Sequence, residues 1–396
     1  MDMVFVYEDK IAQDMDGNFY TGSALPQTVF DRYLQHFDRI TLLMRHADVK
    51  PDDAQALKRL NKLNTEKIDV VFLPNRMESL KSYFDPRVYR QFRKTVLEQL
   101  TPDRAVVIRV PSESGTIAAD HCHRKGIPYL AEAVGCPWDS LWNHSIRGKV
   151  LAPGAWKRFR RTMRNADYAV YVTSEFLQRR YPTRGKAAAI SDVELQPLDE
   201  QVLGRRLAAI VRKEPKRIGT AGALHVAYKG QRFVIEALSR LKASGRTDFE
   251  YHLAGGGDDS ALRRLAEQLG VQDQVVFDGA LPHLQIFQWF DSLDAYIQPS
   301  LVESMPRALI EAMSRGLPAF GSRVGGIPEL LEDEYIFRCR DAEAITKQLS
   351  ALTPEKMKQM AKQNFQRAKL FQKELLEQKR NAFYAAFAAE AEEKHK

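Results

Sequence analysis

Residues 299–330, PSLVESMPRALIEAMSRGLPAFGSRVGGIPEL, bring together the residue types that could handle a charged ligand. The strand-like run DAYIQPS ends at Pro299, a short loop follows, and Pro306 begins a helix at a position where a missing N–H costs nothing. The free N–H groups around Ser304, Met305 and Arg307 then join the positive end of the helix dipole in an anion site suited to a diphosphate. Glu303 stands just before this helix and Glu311 roughly two turns along it. Carboxylates near a helix start are favourable through the dipole alone, so their spacing by itself assigns no role. Upstream, LAGGG at 253–257 reads as a strand ending in a glycine turn, and Asp258 and Asp259 suit a helix N-cap better than a metal site.

These residues need a frame that delivers strand ends to one place. Short Val-, Ile- and Tyr-rich runs alternate with amphipathic stretches: MVFVY (3–7), RITLLM (39–44), IDVVFL (68–73), AVVIRV (105–110), IPYLAEAVG (127–135) and DYAVYVT (167–173). Helical patterns such as 26–37 and 86–100 lie between them, which predicts βαβ units and a mainly parallel sheet. The pattern turns irregular over 180–215, ending in a KEPK break, and resumes with RIGTAGAL (217–224). Two successive α/β halves predict twin Rossmann-like domains facing across a cleft, not one closed barrel. The expected boundaries are 1–200 for the first domain, completed by about 370–396, and 216–365 for the second. The tail from Pro354 reads as one or two helices packing back across the domains. Ligands in such sheets bind at the carboxyl ends of the strands, so the cleft is the expected site.

The string around Glu303 resembles the signature of retaining glycosyltransferases of the GT-B fold, in particular family 4, the glycosyl transferases group 1. Pro299, Ser300, Glu303, Ser304, Pro306, Glu311, Ala312, Gly316 and Pro318 match it, followed by VGGIPEL. YKG (228–230), LAGGG and DGALPH (278–283) fall upstream in the family's order, and the likeness covers roughly 216–340. It implies that Glu311 accepts hydrogen bonds from ribose hydroxyls and that Glu303 sits beside the reacting sugar carbon, where a carboxylate stabilises positive charge. It implies that Lys229 holds the diphosphate, that Ser304, Met305 and Pro306 line the donor site, and that Gly255 and Gly256 admit the nucleotide closely. The implied substrate is a nucleotide diphosphate sugar, UDP-linked in preference to GDP-linked. No cofactor and no metal are expected, their charge being supplied by Lys229 and the helix end. The implied acceptor is a glycan or lipid-linked saccharide in cell-surface polysaccharide synthesis. Two positions depart from the pattern. Ala223 stands where the family has an Arg, with Arg232, Arg323 or His225 as substitutes, and Glu132, Val134 and Gly135 stand where an N-domain His is sought. His121, His123 and His144 lie near in sequence and read more simply as surface residues. A nucleotide-sugar epimerase or hydrolase, and a catalytically silent homologue serving as a partner subunit, remain as alternatives.

The first half offers weaker signals. The loop DMDGNFYTGSALP places Gly17, Asn18 and Gly22 ahead of a helix starting near Pro26, an expected acceptor-side loop, and RVPSESG (109–115) is a strand-to-loop junction that could face the cleft. Charge is more telling. The 396 residues carry 59 Lys+Arg against 51 Asp+Glu, a net +8. Residues 147–186 hold 11 bases and two acids, +9, leaving 48 bases and 49 acids elsewhere. One local stretch therefore produces the whole excess, which argues against a nucleic-acid coat. Within it, PGAWKRFRRTMRNAD reads as a helix opening on a Pro/Gly break, with Trp156, Phe159 and Met163 as a core stripe and the bases on the other faces. The plainer reading of this face is a solvated basic surface over a core stripe, and the sharper one is that 155–165 meets an anionic membrane surface or a lipid diphosphate. Three scattered cysteines, an N-terminus without a basic n-region and the lack of any run of roughly 18 apolar residues predict a cytoplasmic protein, peripheral on the inner membrane face if membrane-bound.

Overall fold

The computed structural model describes residues 1–22, 25–76, 78–210 and 216–395, without the side chains of Leu80, His283 and Leu284. The expected KEPK break thus lies largely outside the described residues, as does the side chain that ends DGALPH. Two sheets form the frame. The first runs Ile68–Leu73, Ile40–His46, Asp2–Gln13, Arg104–Val110, Tyr129–Ala133, Tyr168–Tyr171 and Lys186–Ala189, all parallel. The second runs Val275–Gly279, Phe249–Ala254, Lys216–Ala221, Ala295–Gln298, Ala319–Ser322 and Ile336–Phe337, again parallel. In each, the strand order reverses beside the first strand, which opens a crevice at the carboxyl ends there. The cause is in the sequence. Runs such as Ala105–Ile108 are buried on both faces, as parallel strands covered by helices must be.

The first strand differs from the short MVFVY expected. It spans Asp2–Gln13, shifts register between Val6 and Lys10, and turns back through an antiparallel hairpin onto Phe19–Thr21. Gly17 has φ +84°, and the Asp14 carboxylate accepts from the backbone (2.7 Å) and side-chain (2.9 Å) N–H groups of Asn18. A two-sided turn of this kind holds a hairpin, which is what Gly17 and Asn18 do here.

The last helix, Lys373–His395, leaves the second half and packs on the first. Tyr384, Phe387 and Ala391 enter the core that holds Phe5, Tyr33 and Tyr168. The two passages between halves lie side by side, with Leu195 N–H donating to Phe371 O (3.0 Å) and Lys373 N–H to Leu195 O (2.8 Å). A second tie crosses the cleft: Glu329 accepts from the N–H groups of Ser174 (2.6 Å) and Phe176 (2.7 Å). Among the described residues no helix is long and apolar enough to cross a membrane.

Candidate active site in the interdomain cleft

A cavity of about 670 Å³ lies between the carboxyl ends of the two sheets. Its second-half wall carries Lys229, Glu303, Ser304, Met305, Arg307 and Glu311, and its first-half wall includes Tyr7, Arg32, Arg109, Val134 and Asp192. Local folding explains how Lys229 arrives there. Tyr228–Gly230 closes a tight turn, Leu301 N–H donates to Tyr228 O (2.7 Å), and Gly230 sits at φ +77° where a Cβ would lie 2.0 Å from Pro299 O. Only glycine permits that approach. The turn is thereby docked on the loop that carries Glu303.

Glu303 is the centre of the wall. Its Oε1 accepts from Lys229 Nζ (2.7 Å), Ser300 Oγ (2.9 Å) and Gln298 Nε2 (3.1 Å), and its side chain is 11% exposed. Gln298 is itself fixed, because its oxygen accepts from Tyr296 O–H (2.8 Å) while its nitrogen also donates to Ser300 Oγ (2.8 Å). Burial, with added repulsion from Glu303 and Glu311, holds the Tyr296 phenol well above its ordinary pKa, so it stays a donor. The carboxylate is therefore aimed by a buried chain that starts in the strand Ala295–Gln298. Pro306 is the residue before helix Arg307–Ser314, one place earlier than the sequence reading of Pro306 as its first residue. Among the described residues, the N–H groups of Ser304 and Met305 meet no protein acceptor. Gly325 and Gly326 pack on the same loop, where a Cβ would lie 1.9 Å from Glu303 O and 2.6 Å from Ser304 O.

Other expected residues lie further off. Gly255 and Gly256 border the loop at 222–224 and not the cavity: a Cβ on Gly255 would lie 2.0 Å from Gly222 O, and Gly256 O accepts from Leu224 N–H (3.0 Å). Asp258 accepts from Ser260 N–H (3.0 Å) at the following helix start, and Asp259 pairs with Arg263 (2.9 Å). Gly17, Asn18 and Gly22 do not line the cavity, which the first half reaches through Pro26, Thr28 and Val29 instead. Of the three substitutes for the missing Arg, Arg232 pairs with Glu236 (2.9 Å), Arg323 pairs with Asp333 (3.0 Å), and the His225 ring lies against Gly257. The histidines at 121, 123 and 144 also lie outside the cavity lining.

Sequence reading missed Arg32, Arg109, Asp192 and the role of Gln298. Arg109 opens the RVPSESG junction and is buried between Asp192 and Glu132, the latter at 3.4 Å. Burial opposes its charge, but Asp192 and Glu132 outweigh that and raise its pKa. Glu132 also accepts from the hydroxyls of Tyr33 and Tyr384, so it braces the core under the last helix and does not face the ligand space. Of the positions sought for a His, Val134 alone lines the cavity. The lining carries Arg32, Arg109, Lys229 and Arg307 against Asp192, Glu194, Glu303 and Glu311, so its charges balance.

Residues 215–354 match the family model for glycosyl transferases group 1. The chain is 31% identical over 356 residues to Protein CapJ of Staphylococcus aureus, covering 88% of this chain and 85% of that one. It is 40% identical over 111 residues to the amylovoran biosynthesis glycosyltransferase AmsK of Erwinia amylovora, about a quarter of either chain (26% and 27%). The solved structure of Anabaena HepE in complex with UDP-glucose superposes with a TM-score of 0.62 over 98% of this chain and 100% of that one, at 14% identity, a likeness of fold. With a relative matched over most of its length and the family model over the second half, the chain belongs to the glycosyl transferases group 1 and has the two-domain GT-B fold.

Proposed function

We propose that this glycosyltransferase moves a sugar from a UDP-sugar to a saccharide acceptor, with retention at the reacting carbon, during synthesis of a cell-surface polysaccharide. The observation that carries the reading is the Lys229–Glu303 contact (2.7 Å) at the strand-order reversal of the second sheet, with Glu311 on the same wall. In mechanism, the bond from the sugar carbon to the diphosphate oxygen breaks and its electron pair leaves with the diphosphate. Lys229 and the N–H groups of Ser304 and Met305 take up that charge, and Arg307 supplies the second cation that Ala223 does not. This set stands where a metal would otherwise serve. The acceptor hydroxyl bonds to the same face of the carbon, and its proton passes to the departing diphosphate oxygen. Glu303 stabilises the positive charge at the carbon, and Glu311 accepts from the ribose hydroxyls.

Two likenesses support the details. HepE is solved with UDP-glucose and with UDP, and AmsK is named for amylovoran biosynthesis. A lipid-linked acceptor would place the enzyme on the inner face of the cell membrane. The test is incubation of the purified chain with UDP- and GDP-sugars, with and without saccharide acceptors, followed by nuclear magnetic resonance of the product. An α-linked donor giving an α-linked product supports the reading. An inverted product refutes retention, and sugar release or epimerisation without any acceptor refutes transfer.

A further inference from the structure

The basic stretch is not only basic. Its helix spans Ile146–Arg164 and runs through Pro153 and Gly154, so the Pro/Gly break expected to start it lies inside it. Phe159 and Met163 are buried as expected, and Trp156 is only partly so, with the Arg160 guanidinium 5.0 Å over its ring. The outward face changes character along its length. At about 100° per residue, Ile146, Val150, Lys157, Arg161 and Arg164 fall on one stripe, apolar over its first half and cationic over its second. Ile146 is 83% exposed, Val150 77% and Leu151 54%. The preceding helix, Pro137–His144, adds Trp142, 43% exposed and stacked on Trp138 at 5.2 Å. The two helices are locked together, since a Cβ on Gly148 would lie 2.1 Å from Leu141 O. Along the cationic half, an open groove is lined by Lys157, Arg160, Arg161, Arg164 and Arg184, with no carboxylate in its lining.

An apolar core would have drawn these side chains inward, and a solvated face would not carry four large apolar groups together. We propose that Trp142, Ile146, Val150 and Leu151 form a wedge that enters an anionic lipid bilayer while the cationic half of the same helix lies along its headgroups. The charge pattern selects this occupant: the groove lining holds five cations, of which Arg161 also meets the Asp120 carboxylate, and negative headgroups complement them. The site is well placed for use. Val134 lines the cleft, and the helix Pro137–His144, which carries Trp142, begins three residues later. The link to a lipid-borne acceptor rests on the proposed transfer reaction, whereas the bilayer contact does not.

Flotation with phosphatidylcholine vesicles, with and without phosphatidylglycerol, tests it on the full chain. Binding is expected only with phosphatidylglycerol. Lys157→Glu with Arg161→Glu should weaken it about 30-fold or more, taking each near-surface base at about 1 kcal/mol. Ile146→Ser with Val150→Ser should leave a weak, salt-sensitive residue of binding. Brominated lipid should quench tryptophan emission in the wild type and much less in Trp142→Phe. Equal binding to neutral vesicles, full binding by either double variant, or no quenching overturns the proposal. So does a change of oligomeric state in Ile146→Ser/Val150→Ser without loss of vesicle binding, which would show that a second copy covers this face. Flotation reads no sugar transfer, so it fails independently of the assay for the reaction.

Discussion

Replacing Glu303 with glutamine separates the charge of this side chain from its place in the structure. Three donors, Lys229, Ser300 and Gln298, converge on one oxygen, Oε1, at 2.7 to 3.1 Å. A glutamine that puts its carbonyl oxygen there keeps all three bonds: those from Ser300 and Gln298 become neutral, and that from the Lys229 ammonium loses its ion pair. Hydrogen bonds to charged groups contribute about 1.5–3 kcal/mol and neutral ones about 1, so each of the two neutralised bonds loses about 0.5–2 kcal/mol and the fold on the order of 1–4 kcal/mol. Transfer should suffer far more. The negative charge that faces the reacting carbon is gone, and removal of one such electrostatic stabiliser costs about 3–4 kcal/mol, or 10²–10³ in kcat. Donor affinity should stay within a few fold, because the diphosphate is held by Lys229 and the helix end. The assay pairs calorimetry with UDP against initial rates of transfer at saturating donor, with melting temperature as the control for folding. A kcat within threefold of wild type, in a variant that melts normally, would refute the role assigned to Glu303.

Glu311→Ala should act the other way, raising the Kd for UDP about 10- to 100-fold through loss of charged hydrogen bonds to hydroxyls, with kcat changed little; an unchanged Kd by calorimetry contradicts it. Glu329→Ala removes two hydrogen bonds that span the cleft, at 2.6 and 2.7 Å, and should favour an open arrangement by about 2 kcal/mol. Small-angle scattering should then show a larger radius of gyration and kinetics a higher KM, and an identical scattering profile argues that Glu329 holds nothing closed. Burial alone would raise the Glu390 pKa, but hydrogen bonds from Lys186, Lys394 and Tyr168 bring it down to about 2. Since that carboxyl lies below its unfolded value of roughly 4.3, its stabilisation is present above that pH and is lost as pH falls toward 2. The stability difference between wild type and Glu390→Gln in urea titrations should therefore shrink between about pH 4.5 and 2, and a constant difference across that window would sink the assignment.

The second half was legible because its signals are local. Pro299, Pro306 and Gly316 fall within 18 residues of one another, and each records a nearby backbone need: a strand end, a helix start, a left-handed turn. What sequence could not show was set by partners far away in the chain. Arg109 meets Glu132 and Asp192, 23 and 83 residues on, and Tyr384 reaches Glu132 across 252. No spacing rule connects such positions. The hairpin at Gly17 was read as a cleft loop because DMDGN carries turn residues whichever way the chain goes next, and only the pairing of Gln13 with Phe19 decides it. Exposure of Ile146 and Val150 was hidden for the converse reason: helical spacing alone does not say whether an apolar stripe meets a core or faces outward.

The balance of charge inside the cleft constrains how the donor must be received. Four cations and four carboxylates line it, so a diphosphate entering with its own negative charge meets no pre-existing excess of positive charge. It gains the Lys229 cation only by drawing it away from Glu303, or by sharing it. That exchange would leave Glu303 adrift if Lys229 were its only anchor. It is not, because Ser300 and Gln298 still donate to the same oxygen, and Gln298 is pinned from behind by Tyr296. Lys229 can therefore turn to the diphosphate while the carboxylate keeps its aim. The mobile four-carbon stem of lysine suits the first task and a buried amide the second. On this logic the role of Gln298 is to make Glu303 independent of Lys229, and Gln298→Leu should reduce kcat while leaving the binding of UDP alone nearly unchanged.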